Sequence, residues 1–421
     1  MYLTDYEKAL LNGEHGEARR LAMRVLYDLG EYYEVDRFVE IVACHDDSTA
    51  FLGEAQVEFA EHLVGMGARF AVPTTTNASA IDMSRFDRQK HDVELMTATR
   101  RIEASHMALG AIASWTCAPY QAGFAPTFGQ QVACAESNVI TFVNSILGAR
   151  TNRYAGPLEL LAGIAGRVPY FGLHVAENRK AQGLIIPGDD IAPEMFKHDS
   201  FYTYFAYAFG DIVGDRVWAM DGFPPHISVD NLKNMSATLA SSGGIALFHL
   251  VGITPEAQNL EMAFQGEKPR EVVTLGCKDI RKAEAQLNHL GANEKIDLVT
   301  LGCPHFSCAE FLKLEDALKG RKVHGNCLLW VFTNRSTYGM IQDSGQLHRL
   351  SSQGVEIFVD GCPLQYPAEK WKTNTFMSNS GKFCTYCFGL TGKHPGLGTI
   401  AECAESAVAG KVWQERKPWW K

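Results

Sequence analysis

The chain has 421 residues, of which 46% are hydrophobic, and its formal net charge at pH 7 is −9. This length and apolar content predict a large core that is shared by two or three packed subdomains. The 39 Lys and Arg and the 48 Asp and Glu residues form no long run of either sign, which argues against nucleic acid or an anionic membrane as a partner.

The amino-terminal stretch MYLTDYEKALLNGEHGE predicts a helix rather than a targeting signal. Thr4 followed by Glu7 has the pattern of a capping box. The stretch lacks the apolar block of a signal peptide, and the longest apolar runs of the chain are too short to cross a bilayer. We therefore expect a cytoplasmic protein, in which the 11 cysteines are buried, catalytic or metal-bound rather than paired in disulfides.

Short apolar runs alternate with segments of helical length and pattern along most of the chain. Helices are expected at residues 54–66, 136–148, 229–241, 307–318 and 335–351. Buried strands are expected at residues 37–43, 68–73, 167–173, 216–220, 244–250, 297–302, 328–333 and 355–360. This alternation predicts an α/β fold with mostly parallel sheets that are covered on both faces.

A cysteine follows a glycine at the end of three strand-like runs, at Cys277, Cys303 and Cys362, and Cys117 lies in the turn SWTCAPYQAG. Ligands bind beyond the carboxyl ends of strands in open α/β sheets, so thiolates from separate strands can converge there on one metal centre. Thiolates that are scattered along a sequence suit an iron–sulfur cluster better than structural zinc, which usually takes two close pairs. The alternative is that each glycine–cysteine pair only packs in the core.

The residues around these cysteines carry further expectations. Pro304 and Pro363 cannot extend a ladder and are expected to end their strands just past the thiol. Ser307 is the expected N-cap of the next helix. Cys384 and Cys387 form a lone C-x-x-C, which lacks the second pair of a zinc site and the early βαβ context of a thioredoxin-like motif.

Three stretches crowd hydrogen-bonding side chains beside apolar ones. PTTTNAS (73–79) and SNSGKF (378–383) offer groups that suit a polyoxygenated ligand, a carboxylate or a phosphate, or that form no more than a turn. AESNVITFVNSILGARTNR (135–153) combines helical apolar spacing with many polar residues, which must be paired where they are buried.

Together these segments resemble the large subunit of aconitase X, a branch of the aconitase superfamily. The stretches that carry the resemblance occur in the family's order and span nearly the whole chain: LTDYEKALLNGEHGEARRLAM, VPTTTNA, TCAPY, ESNVITFVNSILGARTNR, VPYFGLHVAENR, GCPHFS, DGCP and SNSGKF. The resemblance implies an aconitase-like α/β/α catalytic body of several packed subdomains over residues 1–421, without the family's swivel domain.

The resemblance also implies an iron–sulfur cluster, whose iron acts as a Lewis acid on a hydroxyl group during a dehydration. The family's ligand positions correspond to Cys117, Cys303 and Cys362, which leaves one iron open for substrate; Cys277 is a reserve ligand, and Cys384 and Cys387 stay open as replacements. Arg150 and Arg153 are expected to hold a substrate carboxylate. The full set of expected substrate-binding residues is Thr75, Asn77, Glu136, Ser137, Asn144, Arg150, Thr151, Asn152, Arg153, Ser380 and Lys382.

In the family, a small swivelling domain closes over the cluster and brings a serine that acts as catalytic base. Some members fuse it to the large part, and others make it as a separate small subunit. This chain ends at QERKPWWK, so we expect a heterodimer with a small swivel-domain subunit that carries the base. Trp419 and Trp420 either dock that partner or form a loose tail.

The family's two substrates are cis-3-hydroxy-L-proline and mevalonate 5-phosphate. A charged content of 21% gives no sign of the ion-pair enrichment of hyperthermophiles, which favours dehydration of cis-3-hydroxy-L-proline, with mevalonate 5-phosphate as the alternative. The stretches FCTYC and DGC depart from the family's usual residues near the site and leave the substrate open. An alternative of another class is an iron–sulfur redox or sensor protein, which the number of cysteines suggests.

Overall fold

The computed structural model describes residues 1–84, 92–365 and 373–420. The strands, in chain order, are β1 Phe38–Glu40, β2 Ala43–Asp46, β3 Thr74–Thr76, β4 Val132–Cys134, β5 Arg167–Pro169, β6 Leu184–Pro187, β7 Trp218–Met220, β8 Phe248–Leu250, β9 Val272–Leu275, β10 Leu298–Phe306, β11 Leu328–Thr333, β12 Val355–Val359, β13 Phe376–Ser378 and β14 Gly396–Leu397. The helices are α1 Asp5–Leu11, α2 Glu17–Tyr32, α3 Glu54–Gly65, α4 Val93–Ala108, α5 Ser137–Phe142, α6 Leu158–Ala165, α7 Asp199–Val213, α8 Val229–Ser242, α9 Leu260–Ala263, α10 Cys277–Leu287, α11 Cys308–Leu318, α12 Arg335–Asp343, α13 Gln346–Ser352, α14 Gly381–Thr391 and α15 Ile400–Ala409.

The described residues form three parallel sheets and one antiparallel pair, β1 with β5. The first parallel sheet has the order β3-β2-β4, the second β8-β7-β6-β9, and the third β12-β11-β10-β13-β14. In the third sheet, Leu298 of β10 lies opposite Leu328 of β11 and Phe376 of β13, and all nine residues of β10 are buried. The expected α/β architecture with mostly parallel sheets is therefore present.

Several helices begin where the sequence places a cap. Thr4 accepts the Glu7 N–H while the Glu7 side chain accepts the Thr4 N–H, as a capping box requires. Ser307 and Glu310 form the same reciprocal pair at the start of α11, which confirms the expected N-cap. None of the helices in the described residues combines the length and apolarity needed to span a lipid bilayer.

Some expected elements are different in the structure. The segment 68–73 is not a strand: the N–H groups of Phe70 and Ala71 donate to the carbonyls of Leu109 and Gly163, outside any sheet. The expected helix 335–351 is two helices, α12 and α13, separated at residues 344–345. The expected helix 136–148 begins as α5 and continues as a π-helical turn, Val143–Leu147.

The carboxyl-terminal tryptophans pack against their own chain. Trp419 is fully buried, and its indole N–H donates to Glu284 Oε2 at 2.8 Å. The Trp420 indole N–H donates to the same oxygen at 2.6 Å. Trp419 is thus a core residue, which corrects the expectation of a loose tail or a partner-docking side chain at this position.

Candidate functional site

The candidate site is a cavity of about 560 Å³ at the carboxyl ends of two parallel sheets. From the first sheet, Asp47 follows β2, Asn77 follows β3 and Glu136 follows β4. From the third sheet, Cys303 lies in β10 and Cys362 follows β12. The remaining lining residues are Phe51, Leu52, Ala78, Ala80, Leu95, Cys117, Ala135, Ser137, Pro304, Pro363, Leu364, Gln365, Lys382, Tyr386, Leu390 and Thr391. The carboxyl edge of an open α/β sheet is where such folds place their ligands.

Cys117, Cys303 and Cys362, the ligands expected from the sequence, all line this cavity. Burial raises the pKa of the Cys303 thiol to about 12 and that of Cys362 above its ordinary value. Burial also raises the pKa of Cys117, and the nearby charges of Glu136, Cys362 and Cys303 act in the same direction. Without a metal these thiols are therefore protonated, and a bound cation would release their protons.

The backbone before Cys303 requires glycine. Gly302 has φ +98°, and a Cβ on it would lie 2.1 Å from the Phe332 carbonyl oxygen of the neighbouring strand. The pairing of β10 with β11 is irregular at this point: its register shifts between Leu301 and Phe306. Strand β10 continues to Phe306, so the expectation that Pro304 ends its strand is wrong: the shift accommodates the proline inside the strand.

His305 connects the loops of all three cysteines and was not singled out from the sequence. Its Nε2 lies 2.8 Å from the Gly361 carbonyl oxygen, its Nδ1 lies 2.9 Å from Thr116 Oγ1, and its backbone N–H points to Cys117 Sγ at 3.3 Å. Burial lowers the pKa of His305 to about 4, so the ring is neutral. Nε2–H then donates to the carbonyl and Nδ1 accepts from the hydroxyl. The available signals were its place two residues after Cys303 and its presence in the GCPHFS stretch.

Backbone pairing between the first and third sheets supports the Cys362 loop. Ser79 N–H donates to the Asp360 carbonyl at 2.8 Å, and Cys362 N–H donates to the Ser79 carbonyl at 2.9 Å. The Asp360 side chain is fully buried and accepts bidentate hydrogen bonds from Arg335 at 2.8–3.1 Å. Two sheets that are distant in sequence thus fix one loop of the cavity.

A buried ion pair lies at the cavity between Lys382 and Glu136. Lys382 Nζ donates to Glu136 Oε1 and, at 2.9 Å, to Ser137 Oγ. Glu136 Oε2 accepts the Val139 N–H at 2.7 Å and so also caps α5. Although burial acts to lower the pKa of Lys382, the Glu136 charge raises it above its ordinary value, and Lys382 stays charged.

Helix α14 brings Lys382 to this place because it packs closely on two other helices. A Cβ on Gly381 would lie 2.5 Å from Thr238 Oγ1 of α8 and 2.7 Å from Thr203 Cγ2 of α7, so only glycine fits there. Ser380 caps α14 through the Phe383 N–H at 3.0 Å, and its side chain acts to lower the pKa of the Cys303 thiol. The SNSGKF stretch is thus a buried strand end and helix start rather than a solvated turn.

Other expected substrate-binding residues do not line the thiol cavity in the described part of the chain. Asn144 and Thr151 bond to each other twice, through Thr151 N–H to Asn144 Oδ1 and Asn144 Nδ2 to the Thr151 carbonyl. Asn152 bonds to the backbone of Phe171 and Leu173. Of the expected set, Asn77, Glu136, Ser137 and Lys382 line the cavity. Ser380 is not among the lining residues but acts on the pKa of Cys303. The lining also leaves out Thr75, Asn144, Arg150, Thr151, Asn152 and Arg153.

Arg150, Arg153 and Thr75 each have surroundings of their own. Arg150 pairs through its backbone with the 130–132 strand region, and Arg153 lines a separate cavity of about 650 Å³. Thr75 Oγ1 lies 2.8 Å from His45 Nδ1, within the first sheet. A carboxylate clamp by Arg150 and Arg153 therefore finds no support in the geometry of the thiol cavity.

The remaining candidate ligands also lie outside the lining of the cavity. Cys277 begins α10, and its thiol donates to the Asp190 carbonyl at 3.2 Å. Cys384 and Cys387 are both buried on α14, where Cys384 points to the Gly396 carbonyl. None of the three is among the described residues that line the cavity.

The donor set of the cavity fits an iron–sulfur cluster better than a single metal ion. Within residues 1–84, 92–365 and 373–420, no three His, Cys, Asp or Glu side chains are grouped so that they could hold one ion. A cluster has a different requirement, because its thiolates are distributed over more than one iron atom. Three thiols that line one cavity, two of them buried and that of Cys362 half-buried, meet that requirement in number and chemistry.

Comparison with known proteins assigns the family. Models of the first, second and third domains of aconitase X match residues 1–177, 184–285 and 296–409. The chain belongs to the aconitase X family. The crystal structure of Thermococcus kodakaraensis aconitase X in its holo-form superposes with a TM-score of 0.86 at 29% identity and covers 97% of this chain and 100% of that chain.

Two kinds of relative share this family. The cis-3-hydroxy-L-proline dehydratase of Pseudomonas aeruginosa is 36% identical over 415 residues, which are 97% of this chain and 70% of that protein. The phosphomevalonate dehydratase large subunit of Methanosarcina mazei is 31% identical over 425 residues, which are 99% of both. The family, the α/β body and hydro-lyase chemistry expected from the sequence are confirmed, because these relatives are dehydratases.

Proposed function

We propose that this chain is the catalytic subunit of an iron–sulfur dehydratase that removes water from cis-3-hydroxy-L-proline. One observation carries the proposal: Cys117, Cys303 and Cys362 line a single cavity together with a buried lysine and two carboxylates. The 36% identity to a named cis-3-hydroxy-L-proline dehydratase over nearly the whole chain supports the choice of substrate.

Cys117, Cys303 and Cys362 would hold the cluster. When bound, an iron of such a cluster supplies Lewis acidity towards a hydroxyl group. This chain contributes the support of the thiols: His305 ties the three loops together, and the Ser380 side chain acts to lower the pKa of Cys303. These contacts fix the positions of the sulfur atoms before any ligand binds.

Lys382 is the residue of this chain that we assign to the substrate carboxylate. Its ammonium group is held in one position by Glu136 and Ser137, and a third N–H remains for a ligand. Since the Glu136 charge keeps Lys382 protonated, the cation is present throughout the ordinary pH range. The pair therefore orients a carboxylate without changing its own protonation state.

We assign the base that removes the ring C2 proton to a small swivel-domain subunit, which forms a heterodimer with this chain. Two observations support such a partner. The mouth of the cavity carries exposed apolar side chains, with Leu52 81% and Leu390 61% exposed, and such surface is typical of an interface. Relatives that this chain matches over nearly their whole length are named large subunits.

Dehydration of mevalonate 5-phosphate is the second candidate, and the 99% coverage of the Methanosarcina large subunit favours it. A phosphate dianion usually binds several cations. Among the described lining residues, Lys382 is the only Lys or Arg, and it is already paired with Glu136. This charge balance suits a single carboxylate better than a phosphate.

The test is turnover by the anaerobically reconstituted chain, co-expressed with its small subunit. Water loss from cis-3-hydroxy-L-proline, followed by the appearance of the dehydrated product, is the expected result. The trans-3 isomer, whose hydroxyl lies on the opposite ring face, is the stereochemical control. Turnover of mevalonate 5-phosphate with none of cis-3-hydroxy-L-proline would overturn the proposed substrate.

A further inference from the structure

Asp47 is a carboxylate at the cavity to which neither the sequence nor the comparisons assign a role. It follows β2 and lines the cavity together with the thiols. Its backbone N–H donates to Glu159 Oε1 at 3.2 Å, and its Oδ1 accepts from Asn77 Nδ2. In the part of the chain that the structure describes, Oδ2 has no hydrogen-bond partner and no Lys or Arg lies within ion-pair distance of the carboxylate.

The surroundings of Asp47 make its negative charge costly. Burial raises the pKa of Asp47 to about 7, and the nearby Glu136 charge acts in the same direction. Lys382 lowers the pKa of Asp47 only as a smaller effect, since its ammonium is bonded to Glu136. The two carboxylates at this cavity therefore differ: Glu136 has a cation of its own, whereas Asp47 has none among the described residues.

Asn77 beside it holds a second acceptor, which makes no hydrogen bond of good geometry within the described residues. The side chain is 7% exposed and lines the cavity. Its Nδ2 donates to Asp47. Its Oδ1 interacts with the buried His45 ring, whose pKa it acts to raise, but it makes no hydrogen bond of good geometry to any described residue. A buried acceptor without a partner costs free energy unless a ligand or water donates to it. Asp47 and Asn77 together thus offer two acceptors and a negative charge.

We infer that Asp47 and Asn77 form the subsite for the ammonium group of an amino-acid substrate, opposite in charge to the Lys382 subsite. A secondary ring ammonium carries one positive charge and two N–H donors, which match the two acceptors. This inference rests on the proposed function, because it assumes an amino-acid substrate. It adds that the substrate binds as a zwitterion, with its carboxylate at Lys382 and its ammonium group at Asp47 and Asn77. The subsite also explains why the site would select an amino acid over a phosphorylated hydroxy acid. The phosphorylated acid has no ammonium group and would bring further negative charge towards the Asp47 carboxylate.

The first experiment compares Asp47→Asn with the wild-type heterodimer in turnover of cis-3-hydroxy-L-proline. We expect KM to rise at least tenfold while kcat changes less than threefold, because the ammonium is bound equally before and during the reaction. Asp47→Glu, which keeps the charge, is expected to recover part of the affinity. Asp190→Asn, a carboxylate that accepts the Cys277 N–H outside the cavity lining, is the matched control with unchanged KM.

The second experiment uses binding rather than turnover. Affinities of L-proline and of tetrahydrofuran-2-carboxylate, in which a ring oxygen replaces the ammonium, are measured by calorimetry on the same proteins. Wild type is expected to prefer L-proline at least tenfold, and Asp47→Asn is expected to lose that preference. Equal affinities in wild type, or a preference that Asp47→Asn retains, would overturn the subsite.

The two experiments separate the subsite from the proposed function. If wild type turns over cis-3-hydroxy-L-proline and Asp47→Asn has an unchanged KM, the function stands and the subsite is wrong. If wild type turns over only mevalonate 5-phosphate, the proposed substrate is wrong, and the binding comparison still decides whether Asp47 selects an ammonium group. Thermal unfolding of each variant shows that it is folded at the assay temperature.

Discussion

Both ends of the 135–153 segment carry polar side chains, but these side chains have different partners at the two ends. At the amino-terminal end, Glu136 and Ser137 lie at the thiol cavity and bond to Lys382. At the other end, Asn144 accepts hydrogen bonds from the Thr151 N–H and from Arg179 Nη1, both at 3.0 Å. One end thus faces a cavity, and the other end is bonded to the protein itself.

Arg179 makes the second end a closed network. It is 1% exposed and pairs with Glu256 at 2.9 Å. Its Nη atoms donate to the carbonyl groups of Leu173, Asn144 and Ala149 at 3.0–3.2 Å. Buried polar groups must be paired, but this rule does not say whether the protein or a ligand provides the partner.

The largest expected effect is loss of a cluster thiol. Cys303→Ala or Cys362→Ala should lower activity at least ~1,000-fold, because removing the Lewis acid removes several kcal/mol of transition-state stabilisation. Iron and sulfide content after anaerobic reconstitution should fall in parallel. Cys277→Ala and Cys384→Ala, which change buried thiols outside the lining, are the controls. If the Cys384 variant lost its iron while the Cys303 variant retained it, the result would favour the redox or sensor alternative.

The second prediction concerns the free energy of unfolding and the Arg179 network. Arg179→Met leaves Glu256 and several carbonyl groups without their donor, and breaking such a buried pair costs about 3–5 kcal/mol. The free energy of unfolding in urea should fall by that amount, while KM for cis-3-hydroxy-L-proline below the unfolding transition stays unchanged. A variant of unchanged stability with a raised KM would show that Arg179 binds substrate instead.

The sequence predicted the parts of the site that depend on local chemistry. A tight backbone approach requires glycine, and a helix start favours a capping side chain. These local requirements made it possible to predict Gly302 before Cys303 and the Ser307 cap from the sequence, together with the three thiols. Asp47 and His305 were not visible, because a single acid or histidine carries no pattern until two sheets bring it to a common edge. Long-range contacts, such as Ser79 with Cys362, decide which polar residues meet.

The family resemblance added what local patterns lacked. It placed Cys117, Cys303 and Cys362 in one set although 245 residues separate the first from the last, and all three line one cavity. It did not separate the two ends of the 135–153 segment. That separation depends on the turn after α5, where Asn144 and Arg179 bond to each other, and no periodicity of the sequence reports such a contact.

The third prediction concerns His305, which holds the cysteine loops of the cavity together. His305→Leu removes the hydrogen bonds to Gly361 and Thr116, so the loops of Cys362 and Cys117 lose a common tie. We expect iron retention during a chelator challenge, and activity with it, to fall about 10–100-fold, the usual range for residues that orient metal ligands. His305→Gln, which keeps a donor near Nε2, should recover part of the retention. Unchanged iron retention in His305→Leu would remove this residue from the support of the cluster.

The smallest effect is expected at Arg153. This residue lies in the 135–153 segment, but it belongs neither to the Lys382 contacts at one end nor to the Arg179 contacts at the other. Its exposed side chain lines the separate cavity of about 650 Å³ with Lys180 and Arg270. Arg153→Ala should change the free energy of unfolding by less than ~0.5 kcal/mol, as for other exposed substitutions, and KM less than about twofold. A tenfold rise in KM would place the substrate carboxylate in that second cavity, and the division of the segment into a ligand-facing end and a protein-facing end would then be wrong.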